Sequence, residues 1–259
     1  MAKKIAIVGA GVAGMMAAYR AAEGSAEVDL YDKNPNIGRK FVYVPWDECE
    51  LSHTGDIEDF MENYAHGAEF LKYSLEKFDS KILIRFLKDM GIETAVDDEG
   101  VISPVSGDSA EIQKSFQSKL EEMGVNFCVS SKVQKILAKN KKIVGIHVHN
   151  LDREYDKVII ACGGAARPKL GASGDGYIFA EEIGHNVIDA KPAMAPVDTE
   201  ERLGKYLSGL KLSPAVVSVY SNHTKLFERG GSVLFTEHGV SGEAILFLSG
   251  IISRLAEKN

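Results

Sequence analysis

The run Gly9-Ala10-Gly11-Val12-Ala13-Gly14 constrains this chain more than any other stretch. Alone, G-x-G-x-x-G is a weak signal; its context here is specific. The apolar run Lys4-Ile5-Ala6-Ile7-Val8 precedes it, as suits a buried parallel strand. An alanine- and methionine-rich stretch follows and favours helix, with Gly24 to end it. Residues 27–32 then read as a second strand, which closes a βαβ unit within about 30 residues. Each glycine has a task. Gly9 makes the tight turn, Gly11 lets the backbone approach a pyrophosphate, and Gly14 lets the helix pack on the strand. The helix N-terminus faces the negative charge, and Ala10, Val12 and Ala13 complete that loop. Asp32 stands 23 positions after Gly9 and 18 after Gly14, where an acid can accept hydrogen bonds from ribose hydroxyls. It repels a 2′-phosphate, so FAD or NAD(H) is favoured over NADP(H). Lys33 beside it belongs to the same candidate site. The alternative is a Rossmann-like fold that binds nothing.

After Asp56 the texture is helical, with apolar residues at 3.6-residue spacing in 57–64, 69–78 and 80–91. Asp79-Ser80 is an N-cap signal and Gly91 a C-terminal stop. Residues 93–103 read as a hairpin turning at Asp98-Glu99-Gly100, and Ser109–Met123 as another amphipathic helix. Three strand-like runs follow, near 126–129, 132–138 and 143–149. The basic cluster Lys139-Asn140-Lys141-Lys142 is read as a solvated turn between two of them. Residues 155–164 form a further strand that runs into Ala161-Cys162-Gly163-Gly164. Small residues there permit close approach of a cofactor, but an ordinary strand-to-loop turn has the same composition. A helix is expected in 177–185. Beyond Pro192 and Pro196 the pattern turns to long strands, then one helix over 241–255.

An overall charge of −7 argues against nucleic acid or an anionic membrane surface as the main partner. No segment approaches the ~20 apolar residues of a membrane span, and cytoplasm is expected. Cys49, Cys128 and Cys162 are odd in number and widely spaced, which speaks against a disulfide framework or zinc site. Cys162 reads as a buried small hydrophobe rather than a redox thiol. His147-x-His149 lies on one face of a strand, and a solvated β-face explains it better than a metal with no third ligand. Ser52-His53 with Asp56 lacks the G-x-S-x-G elbow of a hydrolase. Gly239–Gly242 resembles that elbow loosely and reads as a helix N-cap, and Asp97-Asp98-Glu99 as a turn rather than a calcium loop.

Five stretches together carry a family resemblance: IAIVGAGVAGMMAA, DKNPNIGRK, ACGGAARPKLGASGDGY, PAMAPVDTEE and LFTEHGVSGEAILFLS. In order and spacing they resemble bacterial flavoproteins of the NAD(P)/FAD-dependent oxidoreductase family, aminoacetone oxidase or BaiN type, within the glutathione-reductase-like flavoproteins. The resemblance runs across nearly the whole chain. It implies FAD as bound cofactor, with NAD(P)H as the reductant. Gly9, Gly11, Gly14, Asp32, Arg39, Lys40 and the Ala161–Gly164 turn would line the ADP half. Val133 matches a position that contacts adenine through its backbone. The fold expected is α/β: a glutathione-reductase-like Rossmann domain over 1–190 with a helical insertion at about 55–123. An incomplete β-rich second domain follows at 191–259.

Two departures stand out. After Gly38-Arg39-Lys40 the family keeps a small-residue loop leading into Gly-Arg-Cys-Asn near the flavin. Here Cys49 aligns with the family cysteine, and is the best candidate for a residue near the flavin. Asp47-Glu48 replace Gly-Arg, and Glu50 replaces Asn. A reversed charge there weakens anion binding, and Pro45-Trp46 stiffen the loop. Trp-Asp-Glu can be written TGG-GAC-GAR, which read two bases in gives Gly-Arg, so a compensated local frameshift is one account of the change, tested by the gene sequence; the alternatives are genuine divergence of the loop and a tryptophan lid over a changed pocket. The second departure is length: family members run on, so the resemblance implies a C-terminally truncated chain that keeps the ADP half. A small-molecule substrate is expected, with no nucleic acid or membrane, and a complementing chain or homo-oligomer. The alternatives are a non-catalytic or partner-dependent dinucleotide-binding module, and an NAD(H)-binding enzyme without flavin. The residues identify no catalytic acid, base or nucleophile.

Overall fold

A computed structural model describes residues 2–43, 49–64, 67–201 and 204–256. The elements run in the order β1 (Lys4–Val8), α1 (Val12–Glu23), β2 (Glu27–Tyr31), α2 (Arg39–Val42), β3 (Ser52–His53), α3 (Ile57–Glu62), α4 (Ala68–Lys77) and α5 (Ser80–Asp89). Next come β4 (Thr94–Val96), β5 (Val101–Pro104), α6 (Ser109–Glu122), β6 (Asn126–Cys128), β7 (Val133–Lys139), β8 (Lys142–Val148), β9 (Leu151–Glu154), β10 (Lys157–Ile160) and α7 (Asp175–Glu182). The remainder is β11 (Val197–Asp198), α8 (Gly204–Leu207), β12 (Lys211–Ser221), β13 (Thr224–Phe235), β14 (Gly239–Ser241) and α9 (Glu243–Leu255). No helix among the described residues is long and apolar enough to cross a membrane.

The chain divides into two compact units. Residues up to Gly55 and Phe78–Ile188 form one; Asp56–Lys77 and the residues from Asp189 form the other. Helices α3 and α4, read above as part of an insertion in the first domain, therefore group with the second unit. Within that unit Arg229 Nη2 donates to Asn63 Oδ1, just past α3, at 3.1 Å; α3 and α4 bury no residue, whereas α5 buries Leu87 and α6 buries Ile112, Phe116 and Leu120.

The first unit is organised by a parallel sheet of order β10-β1-β2-β6. Side chains alternate across each strand. On one face Ile7, Val28 and Leu30 pack with Met15 and Ala18 of α1 and Phe116 and Leu120 of α6. Tyr19, Phe86 and Phe116 add edge-on ring contacts, with Tyr19–Phe86 centroids 5.1 Å apart. On the other face Ala6, Val8 and Tyr31 pack with Val133, Ile136, Ile146, Val148, Tyr155 and Phe179, contributed mostly by the antiparallel meander β7-β8-β9. The β7–β8 turn is the basic cluster, with Asn140 and Lys141 in the left-handed region that such two-residue turns require. The β4–β5 hairpin also forms where expected; Asp97 closes it by accepting from the Glu99 and Val101 N–H groups. Strand β9 escaped the sequence reading, and all four of its residues are exposed.

The second unit holds the antiparallel sheet β11-β14-β13-β12. Helix α9 lies on it and buries Ala244, Ile245 and Leu248. Its N-cap is Gly242 (φ 98°), with no side-chain cap; Ser241 belongs to β14 instead. The opening end of α3 carries a reciprocal capping box between Asp56 and Asp59.

Candidate functional site

In the parallel sheet the strand order reverses between β1 and β10, because β2 and β6 lie to one side of β1 and β10 to the other. In open α/β sheets ligands bind at such a switch point, outside the carboxyl ends of the strands. Val8 pairs with Ile160 in register, so the turns that follow them emerge side by side. A cleft of about 350 Å³ opens there. Of the residues expected from sequence, it is lined by Gly9, Gly11, Val12, Ala13, Asp32, Lys33, Arg39, Lys40, Val133, Ala161, Cys162 and Gly163. Ala10, Gly14 and Gly164 stand behind this lining and shape it.

The glycines divide into two kinds. A Cβ on Gly9 would lie 2.4 Å from the Ala161 carbonyl oxygen, and one on Gly14 would lie 1.8 Å from the Gly9 carbonyl oxygen. These two let β1, α1 and the second turn close on one another. A Cβ on Gly11 or Gly163 would meet no atom within 4 Å, so these two border open space in the cleft. Gly11 is also the N-cap of α1, whose first N–H groups point out of the helix end and suit an anion. Such a cradle fits a dinucleotide pyrophosphate. Gly164 instead accepts from the Gly174 N–H and closes the loop between them.

Asp32 has an internal role as well. Its Oδ2 accepts from the Ala10 N–H at 2.8 Å, and its Oδ1 accepts from the Asn34 N–H at 2.8 Å and Asn34 Nδ2 at 2.9 Å. The carboxylate thus pins the glycine loop, and of its roughly four acceptor directions one is left for a ribose hydroxyl. Asn34 is one residue the sequence reading missed: while donating to Asp32, it accepts from Arg39 Nη1 at 2.9 Å through Oδ1. One amide therefore orients both Asp32 and Arg39. Its signal was the Asp-Lys-Asn turn, a place where Asx side chains bond local backbone.

Lys33 does not extend freely into the cleft. Its Nζ donates to Asp175 Oδ2 at 2.7 Å and to Ser173 Oγ at 2.5 Å. Burial works to raise the Asp175 carboxyl, but the bonds from Lys33 and Ser173 outweigh it and hold it below its ordinary range. Asp175, Lys132, Ser131, Tyr31 and Gly171 also line the cleft and were not singled out from sequence. Asp175 lies 142 positions from Lys33, and chain spacing carries no trace of that pairing.

Cys162 donates to the Val8 carbonyl at 3.3 Å; burial, with Asp175 adding to it, pushes its thiol up to about 11. That is the chemistry of a poorly reactive, half-buried thiol. Cys49, expected near a flavin, is buried among Leu87, Ile92 and Ile112 rather than in the cleft lining, and burial raises its thiol too. The substituted loop Pro45-Trp46-Asp47-Glu48 lies outside the described residues. His147 bonds Asp152 and His149 bonds Ser131, and no metal-binding cluster occurs among the described residues.

A switch-point cleft with a glycine cradle, a helix N-terminus and an acid at the second strand end defines a Rossmann dinucleotide-binding protein. The chain belongs to the family described as HI0933-like protein Rossmann domain, whose model matches residues 3–247. It is 26% identical over 253 residues to the 3-dehydro-bile acid delta(4,6)-reductase of Clostridium scindens, covering 97% of this chain and 61% of that protein. It is also 26% identical over 247 residues to the ribosomal RNA dihydrouridine synthase of Haemophilus influenzae, covering 94% and 60%. The chain thus spans about three fifths of the length of these relatives. Among solved structures, the open conformation of a flavocytochrome c3 fumarate reductase superposes with a TM-score of 0.57 at 20% identity, over 82% of this chain and 47% of that one. That likeness supports the fold.

Proposed function

We propose that the cleft holds the adenosine and pyrophosphate half of FAD, and that the chain carries the cofactor-binding part of a flavin-dependent oxidoreductase. The observation behind this reading is the convergence, at one switch point, of the Gly9–Gly14 cradle, the Ala161–Gly163 turn and Asp32. The α1 N-terminus with Arg39 and Lys40 would face the pyrophosphate, Asp32 the ribose, and the Val133 backbone the adenine. Arg39 is held in place by Asn34, so it meets a phosphate without first being ordered. A bound flavin supplies hydride and electron transfer, while these residues supply placement and electrostatics. NAD(P)H is the reductant in this reading. The two relatives named above point toward addition of hydrogen to a carbon–carbon double bond. The net charge of −7 favours a small molecule over RNA as the substrate.

The test is an absorbance spectrum of the full chain before and after addition of FAD. Twin flavin bands that survive desalting are expected. A colourless protein that binds NAD(H) instead would replace this reading with a flavin-free enzyme, since Asp32 serves either ribose. A colourless protein that binds neither would leave a non-catalytic or partner-dependent module.

A further inference from the structure

Dinucleotide sites choose between a ribose with a free 2′-hydroxyl and one with a 2′-phosphate. An acid at the end of the second strand selects the first; a cation near that position admits the second. This chain places both at consecutive positions, Asp32 and Lys33, and both line the cleft with Lys132. On charge alone, two lysines beside one acid favour the phosphate.

The loop before α7 alters that balance. Asp175 and Ser173 take the Lys33 ammonium at 2.7 and 2.5 Å, so two of its three N–H groups point into the loop. The Lys33 and Asp175 side chains are only 26% and 22% exposed, so solvent screens this pair less than an open surface pair. The loop itself is held close. Gly171 has a backbone (φ 104°) that side chains rarely adopt, and a Cβ there would lie 2.6 Å from Asn34 Nδ2, so any other residue would be strained and would press on Asn34. Meanwhile Asp32 is fixed by three donors and its charge stays directed at the cleft. We propose that Asp175 is the residue that sets ribose specificity: by holding Lys33, it withholds the cation that would accept a 2′-phosphate and leaves Asp32 to select an unphosphorylated ribose.

This inference rests on the adenosine reading of the cleft. Its test is competition against FAD on the full chain, followed by flavin fluorescence, with AMP and adenosine 2′,5′-bisphosphate as probes. Wild type should release FAD at lower concentrations of AMP than of the bisphosphate. In Asp175→Asn the ratio should move toward the bisphosphate by about tenfold, and the added Lys33→Met change should abolish that shift. Ser173→Ala, which removes one holder of Lys33 and keeps the other, should move the ratio the same way by less. An unchanged ratio in both single variants, with FAD still bound, overturns the proposal alone. Failure of wild type to bind FAD and both probes, measured by titration calorimetry, overturns the adenosine reading and this proposal with it.

Discussion

On one face of the parallel sheet, Ile7, Val28 and Leu30 meet α1 and α6 in a cluster of aliphatic and aromatic side chains with the thioethers of Met15, Met16 and Met90. On the other, Ala6, Val8 and Tyr31 meet the meander, and polar groups run through the contact. There Tyr31 and Tyr155 share a hydrogen bond of 2.8 Å between their hydroxyls, Tyr155 donates to Asp29, and Asn126 donates to the same carboxylate at 2.8 Å. Burial pushes the Tyr31 hydroxyl up to about 12 and raises that of Tyr155 further. The helical face is held by shape, and its contacts are indifferent to protons. The meander face adds a bonded set whose strength depends on which protons are present.

The largest effect belongs to the helical face. Gly14→Ala puts a methyl 1.8 Å from the Gly9 carbonyl oxygen and forces β1 and α1 apart. A loss of about 4 kcal/mol, or no folded protein, is expected in thermal denaturation. Leu120→Ala, at a side chain with no exposure, should cost about 2–5 kcal/mol by the same measurement, independent of pH near neutrality. Tyr155→Phe on the opposite face removes no packing volume of note but strips partners from Tyr31 and Asp29. A loss of about 1–3 kcal/mol is expected, and an equal loss from Ala6→Gly would show that packing, not bonding, governs this face.

The faces should also part in alkali. Tyr31 titrates at about 12 when folded against 10.0 as its ordinary value, so the folded state binds this proton more tightly. Stability from this group is fully present below 10.0 and falls as pH rises from there through about 12. Tyr31→Phe should flatten that alkaline limb in denaturant titrations, whereas Leu120→Ala should shift the curve down and leave its slope alone. The smallest effect concerns Cys162 in the cleft lining: with its thiol raised to about 11, alkylation at neutral pH should be much slower than that of an unfolded control. Rapid modification would mean that this face opens readily.

These two faces were unequally legible. The continuous apolar run of β1, the alanine- and methionine-rich composition of α1 and the 3.6-residue spacing in α5 and α6 mark buried elements, so the elements of the helical face could be read directly. The glycine turn and Asp32 were legible because their tasks depend on local spacing. What lay hidden depends on pairing across the chain. Nothing in the sequence ties Tyr31 to Tyr155, 124 positions away, or Lys33 to Asp175. Asn34 looked like an ordinary turn residue, since one amide serving two site residues has no periodic signature. Strand β9 has no buried residue to produce alternation. Periodicity also says that a helix has an apolar side, not which unit receives it, and so α3 and α4 could not be placed beforehand.

The adjacency of β1 and β10 bears on how the molecule comes into being. Cys162 Sγ bonds a Val8 carbonyl 154 positions earlier, and the floor of the cleft is made of those two ends. Contacts of such high sequence separation are slow to form, because the intervening loop must be closed before the contact rewards it. On a ribosome the glycine cradle emerges before β10, so it has no second wall until β10 has been synthesised and lies beside β1. Nucleotide capture therefore belongs to the last stage of this unit's maturation, and a ligand that waits for that stage rewards only chains that have closed the sheet.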